Sequence, residues 1–113
     1  MNRKSTIRKT AIPSPLVKTG INRKLHSICK KNNIVFMGLF GSYSRGEQKK
    51  RSDIDIAIEF DGKRNHTLLT LVRIENELTN IFGRKVDLGT LNSINPHVKK
   101  SIIKDLKVLY ERR

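Results

Sequence analysis

Tryptophan is absent from the sequence, cysteine occurs once and aromatic residues make up only 5%, so neither a disulfide-stapled scaffold nor an aromatic-rich binding surface is available. Cys29 has no second cysteine to pair with or to share a metal, and its helical surroundings predict a buried thiol. No apolar run approaches the ~18 residues of a membrane span, and the N-terminus lacks the apolar stretch of a secretory signal. These two absences predict a soluble, cytoplasmic protein with no membrane partner. Pro13 and Pro15 interrupt the basic, Ser/Thr-containing start, which argues against the long amphipathic helix of an organelle presequence. At 113 residues the chain has room for one hydrophobic core.

Acidic residues are missing from residues 1–46, which carry ten Lys or Arg and contribute +10 of the net charge of +14. All ten carboxylates lie further on. Such an excess attracts polyanions over long range: nucleotides, RNA or an acidic protein. A merely solvated basic surface explains the charge equally well.

Residues 1–20 contain few large apolar residues and no period, which predicts a basic, flexible arm able to reach nucleic acid, with the domain proper at 21–113. Ile21, Leu25, Ile28 and Cys29 recur at helical spacing up to a stop at Asn32-Asn33. The run from Ile34 to Phe40 reads as a buried strand that leads straight into Gly41-Ser42. From Ser52 to Phe60 the isoleucines alternate with Asp53, Asp55, Ala57 and Glu59, the period of a second strand. Leu68, Leu71, Ile74, Leu78, Ile81 and Phe82 form the stripe of a long helix, with Asn65 as its cap and Gly83 as its stop. Lys85 to Leu88 predicts a third strand; Asn95-Pro96 opens a last helix buried through Val98, Ile102, Ile103 and Leu106; and Val108 to Tyr110 adds an edge strand.

The chemistry concentrates in two places. Asp53 and Asp55, two apart on a strand, point to the same side with alpha carbons about 6.5 Å apart, so both can serve one hard cation such as Mg²⁺. Ionised carboxylates beside an apolar strand cost several kcal/mol, roughly, unless a positive charge offsets them. An edge strand open to water, or lysine partners, would serve that end as well. Upstream, Gly41 permits close approach, and the following N–H groups and the Ser42 hydroxyl suit phosphate oxygens. A phosphate cradle beside a carboxylate pair is the minimum for nucleotidyl transfer by in-line displacement. No Gly-Lys-Ser/Thr closes the loop, which excludes a Walker A site. His26, His66 and His97 lack ligand spacing.

Gly41-Ser42, continuing as Tyr43-Ser44-Arg45-Gly46, with Asp53-Ile54-Asp55 following Ser42 after a gap of ten residues (43–52), resembles the signature of the DNA polymerase beta-like nucleotidyltransferase superfamily. The Ser-x-x-Arg-Gly and Ser-Asp-Ile-Asp forms and the later Gly83 to Leu88 stretch are similar to its minimal nucleotidyltransferase, or MNT, group. The resemblance covers about residues 34–110. It implies an α/β (α+β) fold, a small mixed β-sheet flanked by helices. It also implies two Mg²⁺ ions held by Asp53, Asp55 and Asp87, with Asp87 helping to draw the proton from the acceptor; a nucleotide held by Gly41, Ser42 and Arg45; and ATP as substrate. For Asp87 and Arg45, ordinary surface roles are the competing readings.

Small members of the MNT group pair with HEPN-domain toxins. The resemblance therefore implies a type VII-like antitoxin that transfers AMP from Mg-ATP to a tyrosine of a HEPN toxin, the chain having no room for an acceptor-binding domain of its own. The alternatives are a non-catalytic binding module that neutralises its partner by contact, and nucleotidyl transfer to an RNA 3′-hydroxyl.

Overall fold

The computed structural model describes residues 12, 16–17, 19–62, 67–91 and 95–112, without the side chains of residues 98, 99, 101 and 102. Its elements run α1 (Ile21–Lys31), β1 (Ile34–Phe40), α2 (Gly41–Arg45), β2 (Ile54–Phe60), α3 (Leu68–Phe82), β3 (Val86–Thr90), α4 (Pro96–Asp105) and β4 (Lys107–Glu111). The strands form one sheet in the order β3-β2-β1-β4. β1 is antiparallel to both β2 and β4, whereas β2 and β3 are parallel and joined by the α3 crossover. The mixed α/β architecture is the one the family resemblance implied.

Period two in β2 sorts its side chains by face. Ile54, Ile56 and Ile58 are fully buried and share one core cluster with Leu25 and Ile28 of α1 and Ile74, Leu78 and Phe82 of α3. Each such side chain contributes about 1.5–3 kcal/mol relative to exposure. Asp55, Ala57 and Glu59 occupy the opposite face, where Leu106 lies over Gly38 of β1. A β-carbon at Gly38 would stand 2.7 Å from Leu106 Cδ1, so glycine lets the end of α4 reach the sheet.

Helix ends follow local chemistry. In α1 the four predicted stripe residues are all buried, and Lys30 and Lys31 occupy the last turn, where the helix dipole favours cations. The Asn32 side chain donates to Ile28 O at 2.9 Å, and Asn33 turns the chain at φ 58°. Asn65, the expected cap of α3, lies outside the described residues; the observed cap is Thr67, whose hydroxyl accepts from Thr70 N at 3.2 Å. Gly83 ends that helix at φ 71°, as expected.

Three expectations about burial need correction. Leu68 is 76% exposed, because it follows the cap directly and the buried stripe of α3 begins only at Leu71. Ile103 is 53% exposed and Leu106 has already left the helix, so neither takes the place on a buried helical face that the stripe predicted; the side chains of Val98 and Ile102 lie outside the described set. Upstream, Leu16 is 1% exposed within the core and Ile12 packs on it, so the core draws on the segment expected to be an arm. The third strand starts and ends slightly later than expected, at Val86–Thr90.

Among the described residues no helix is long and apolar enough to cross a membrane.

Candidate active site

Sheet topology brings the predicted carboxylates to one end. Phe40 is the cross-strand partner of Asp55, and Asp55 is the partner of Asp87. Strands β2 and β3 run the same way, so their leading residues lie side by side at the usual spacing of about 4.8 Å. β1 runs the other way and delivers Gly41-Ser42 to that same end. Asp55 is half-buried between them, while Asp53 and Asp87 are exposed.

Gly41 answers to this crowding. It sits at φ 74°, and a β-carbon there would overlap the Asp55 carboxylate, only 3.0 Å from its Cγ. Two requirements, left-handed backbone and room for a carboxylate, thus converge on one glycine. Beyond it α2 turns back sharply: Gly46 ends the helix at φ 71°, and Glu47 N donates to Ser42 O at 2.8 Å.

Burial first, then Asp87, then Asp53 push the Asp55 carboxyl above its ordinary pKa, and Arg45 pulls it partly back. The carboxylates therefore feel one another across the ends of β2 and β3. Lys85 Nζ approaches Asp53 Oδ2 at 4.0 Å with both side chains exposed, an ion pair worth at most about 1 kcal/mol. As the side chains stand, no group of three or more His, Cys, Asp or Glu among the described residues is gathered closely enough to hold a metal. The donor chemistry nevertheless suits Mg²⁺: three hard carboxylates at neighbouring strand starts, with a glycine keeping the space beside Asp55 open.

Arg45, expected to reach phosphate or to be an ordinary surface residue, is exposed and engaged by carboxylates. Its Nε–H donates to Glu47 Oε1 at 2.8 Å, and its NH1 lies 3.8 Å from Asp105 Oδ2, although it still exerts a field on Asp55. The Ser44 hydroxyl donates to the Asp105 carbonyl, so α2 is clasped to the end of α4. Sequence reasoning missed Glu47 and Asp105 as the groups that orient this arginine. Glu47 was within reach, two residues on; Asp105 carried no local signal. His26 packs edge-on to Tyr110 at 5.5 Å, and His97 N donates to the Asn95 cap, so these two histidines have structural surroundings.

A mixed sheet thus sets three carboxylates at adjacent strand starts beside a Gly-Ser turn. Residues 23–113 match the model of the family described as Polymerase beta, nucleotidyltransferase, and the chain belongs to that family. Two relatives from Methanocaldococcus jannaschii, both named as protein adenylyltransferases, are 45% identical over 86 residues (75% of this chain, 89% of the relative) and 50% identical over 88 residues (76% and 88%). A crystal structure of a toxin–antitoxin with AMP-PNP superposes with a TM-score of 0.67 at 26% identity, covering 81% of this chain and 74% of that one. A nucleotide is thereby the substrate class.

Proposed function

We propose that this protein is an adenylyltransferase that moves AMP from Mg-ATP onto a hydroxyl of a protein acceptor, a tyrosine of a HEPN-domain toxin, and so acts as the antitoxin of a cytoplasmic pair. The observation that carries this reading is the register Phe40–Asp55–Asp87, which sets the Gly-Ser turn on one flank of Asp55 and a further carboxylate on the other. Relatives named as protein adenylyltransferases and the toxin–antitoxin neighbour that contains AMP-PNP support the choice of nucleotide and acceptor.

Asp53, Asp55 and Asp87 are the residues that would hold two Mg²⁺ ions, which supply charge neutralisation at the phosphates and a lowered acceptor pKa when bound. The Gly41 and Ser42 end of α2 receives phosphate oxygens. Arg45, released from Glu47 or sharing itself between carboxylate and phosphate, adds a planar donor pair. Asp87 is exposed and accepts the acceptor's proton. The acceptor oxygen attacks the α-phosphorus in line, the α–β phosphoanhydride bond breaks, and pyrophosphate leaves with the bonding pair.

Incubation with ATP labelled at the α-phosphate, MgCl₂ and a purified HEPN-domain protein from the same source tests the reading. Label on the partner, lost in Asp53→Asn/Asp55→Asn, is the expected result. Neutralisation of the partner that persists in the double variant without label transfer would replace catalysis by contact alone.

A further inference from the structure

The two segments that lead into β2 and β3 are both strongly basic, and they stand together. Lys49, Lys50 and Arg51 precede Asp53; Arg84 and Lys85 precede Asp87. All five side chains are exposed. They are not loosely strung. Ser52 N donates to Lys49 O at 3.0 Å and Lys49 N to Ser52 Oγ at 2.7 Å, which closes a turn over residues 49–52. Arg84 NH1 donates to Lys50 O at 3.0 Å, and Ile54 N to Lys85 O at 2.9 Å, which fastens one basic segment to the other. Among the described residues the only carboxylate within ion-pair distance of the five is Asp53, 4.0 Å from Lys85; Glu47, on the same loop, is engaged by Arg45. Five like charges fixed in one place repel, and an ordered arrangement of this kind gains its advantage when an anion meets it.

Position decides which anion. The Gly-Ser turn lies on the β1 flank of Asp55, whereas the basic rim lies on the β2–β3 flank. In-line displacement requires the acceptor to arrive opposite the departing pyrophosphate, so the flank away from the phosphate turn is the acceptor's. Single-stranded RNA would ask for aromatic platforms among the cations, and neither basic segment, residues 49–51 or 84–85, contains an aromatic residue, while the adjoining Phe82 is 2% exposed.

We infer that Lys49, Lys50, Arg51, Arg84 and Lys85 form an acceptor-docking rim that selects an acidic peptide segment carrying the hydroxyl to be modified. This rests on the adenylyltransferase reading above, and it adds what that reading leaves open: the chemistry surrounding the acceptor hydroxyl.

The test uses the full chain and two short fluorescent tyrosine peptides, one flanked by glutamates and one by lysines, with binding read by anisotropy at low salt in the presence of MgCl₂ and a non-hydrolysable ATP analogue. Wild type binds the glutamate peptide at least about tenfold more tightly than the lysine peptide. Lys50→Glu/Arg51→Glu, whose side chains make no hydrogen bond, erases the preference with an unchanged Tm and unchanged affinity for the ATP analogue. Arg23→Glu/Lys30→Glu on the exposed face of α1 makes the same change in net charge and keeps the preference. Equal binding of the two peptides to wild type overturns the inference, as does loss of preference in both charge-reversed proteins, which would reduce it to net charge. Weakened binding of the ATP analogue in the Lys50/Arg51 variant assigns the rim to the triphosphate and also overturns it. A uridine oligonucleotide that displaces the glutamate peptide at physiological salt reassigns the surface to nucleic acid. Peptide preference without transfer of α-phosphate label to the HEPN protein would leave the rim standing and remove the catalytic reading.

Discussion

Replacing Gly41 and Gly46 by alanine, one at a time, separates backbone strain from site geometry. The two glycines have nearly the same backbone angle, φ 74° and φ 71°. Nothing lies within 4 Å of a β-carbon at Gly46, whereas one at Gly41 would sit 3.0 Å from Asp55 Cγ and 3.3 Å from its Cβ. Gly46→Ala therefore costs only the left-handed term, about 1 kcal/mol, or roughly 4 °C in Tm for a domain of this size. Gly41→Ala adds an overpacking cost of about 1–3 kcal/mol, relieved only if the Asp55 carboxylate swings away. A ligand moved by an ångström lowers transfer by about 100-fold. Thermal melts and single-turnover label transfer on both variants measure the two effects, with Gly46→Ala within threefold of wild type in activity. Combining Gly41→Ala with Asp55→Ala should give a destabilisation smaller than the sum of the single changes, by about the overpacking cost. Equal melting temperatures for the two glycine variants, or a Gly41→Ala enzyme that keeps near-normal transfer, would refute the packing argument.

Three further predictions concern charge and packing. With EDTA present, Asp55→Asn should raise Tm at pH 7 and lose that advantage near pH 3, since a carboxyl whose folded pKa is raised favours folding below its unfolded pKa and loses that contribution as pH rises through the folded value. A variant less stable at both pH values contradicts the assignment. Burial pushes the Cys29 thiol up to about 12, so a disulfide reagent at pH 8 should label it at the rate of unfolding; rapid labelling of the native protein would show the site to be open. Leu16→Ala should destabilise by about 2–5 kcal/mol in urea titrations, because this residue is 1% exposed in the core; a cost under about 0.5 kcal/mol would return it to the periphery.

Local periodicity explains what was legible beforehand. The alternation over Asp53 to Phe60 fixes a strand and its faces in one stroke, and the stripe Ile21, Leu25, Ile28, Cys29 does the same for α1. The Gly-Ser to Asp-Ile-Asp spacing marks the end of the sheet at which chemistry should occur. Pairings across long separations leave no trace in periodicity. Asp87 was legible only through the family resemblance, since its place beside Asp55 depends on a parallel register set by the α3 crossover; that Asp105 faces Arg45 depends on where α4 ends and had no such signal. Leu16 escaped because a single apolar residue in a proline-interrupted segment has no period. Leu68 misled for the opposite reason, since it fits a stripe that the packing begins to use only from Leu71.

The strand order β3-β2-β1-β4 has a consequence for when the site comes into being. The phosphate turn and the first two carboxylates belong to a local hairpin-like pair, β1 with β2, and can assemble as soon as that stretch is made. Asp87 arrives only after α3 has closed a parallel connection, the slower kind of pairing. In a chain emerging from the ribosome, Gly41-Ser42 can therefore meet Asp53 and Asp55 before Asp87 is in place. If the protein restrains a toxin by covalent modification, that restraint begins with the completed domain, and any change that slows the β2–β3 crossover lengthens the interval in which a newly made partner is unmodified.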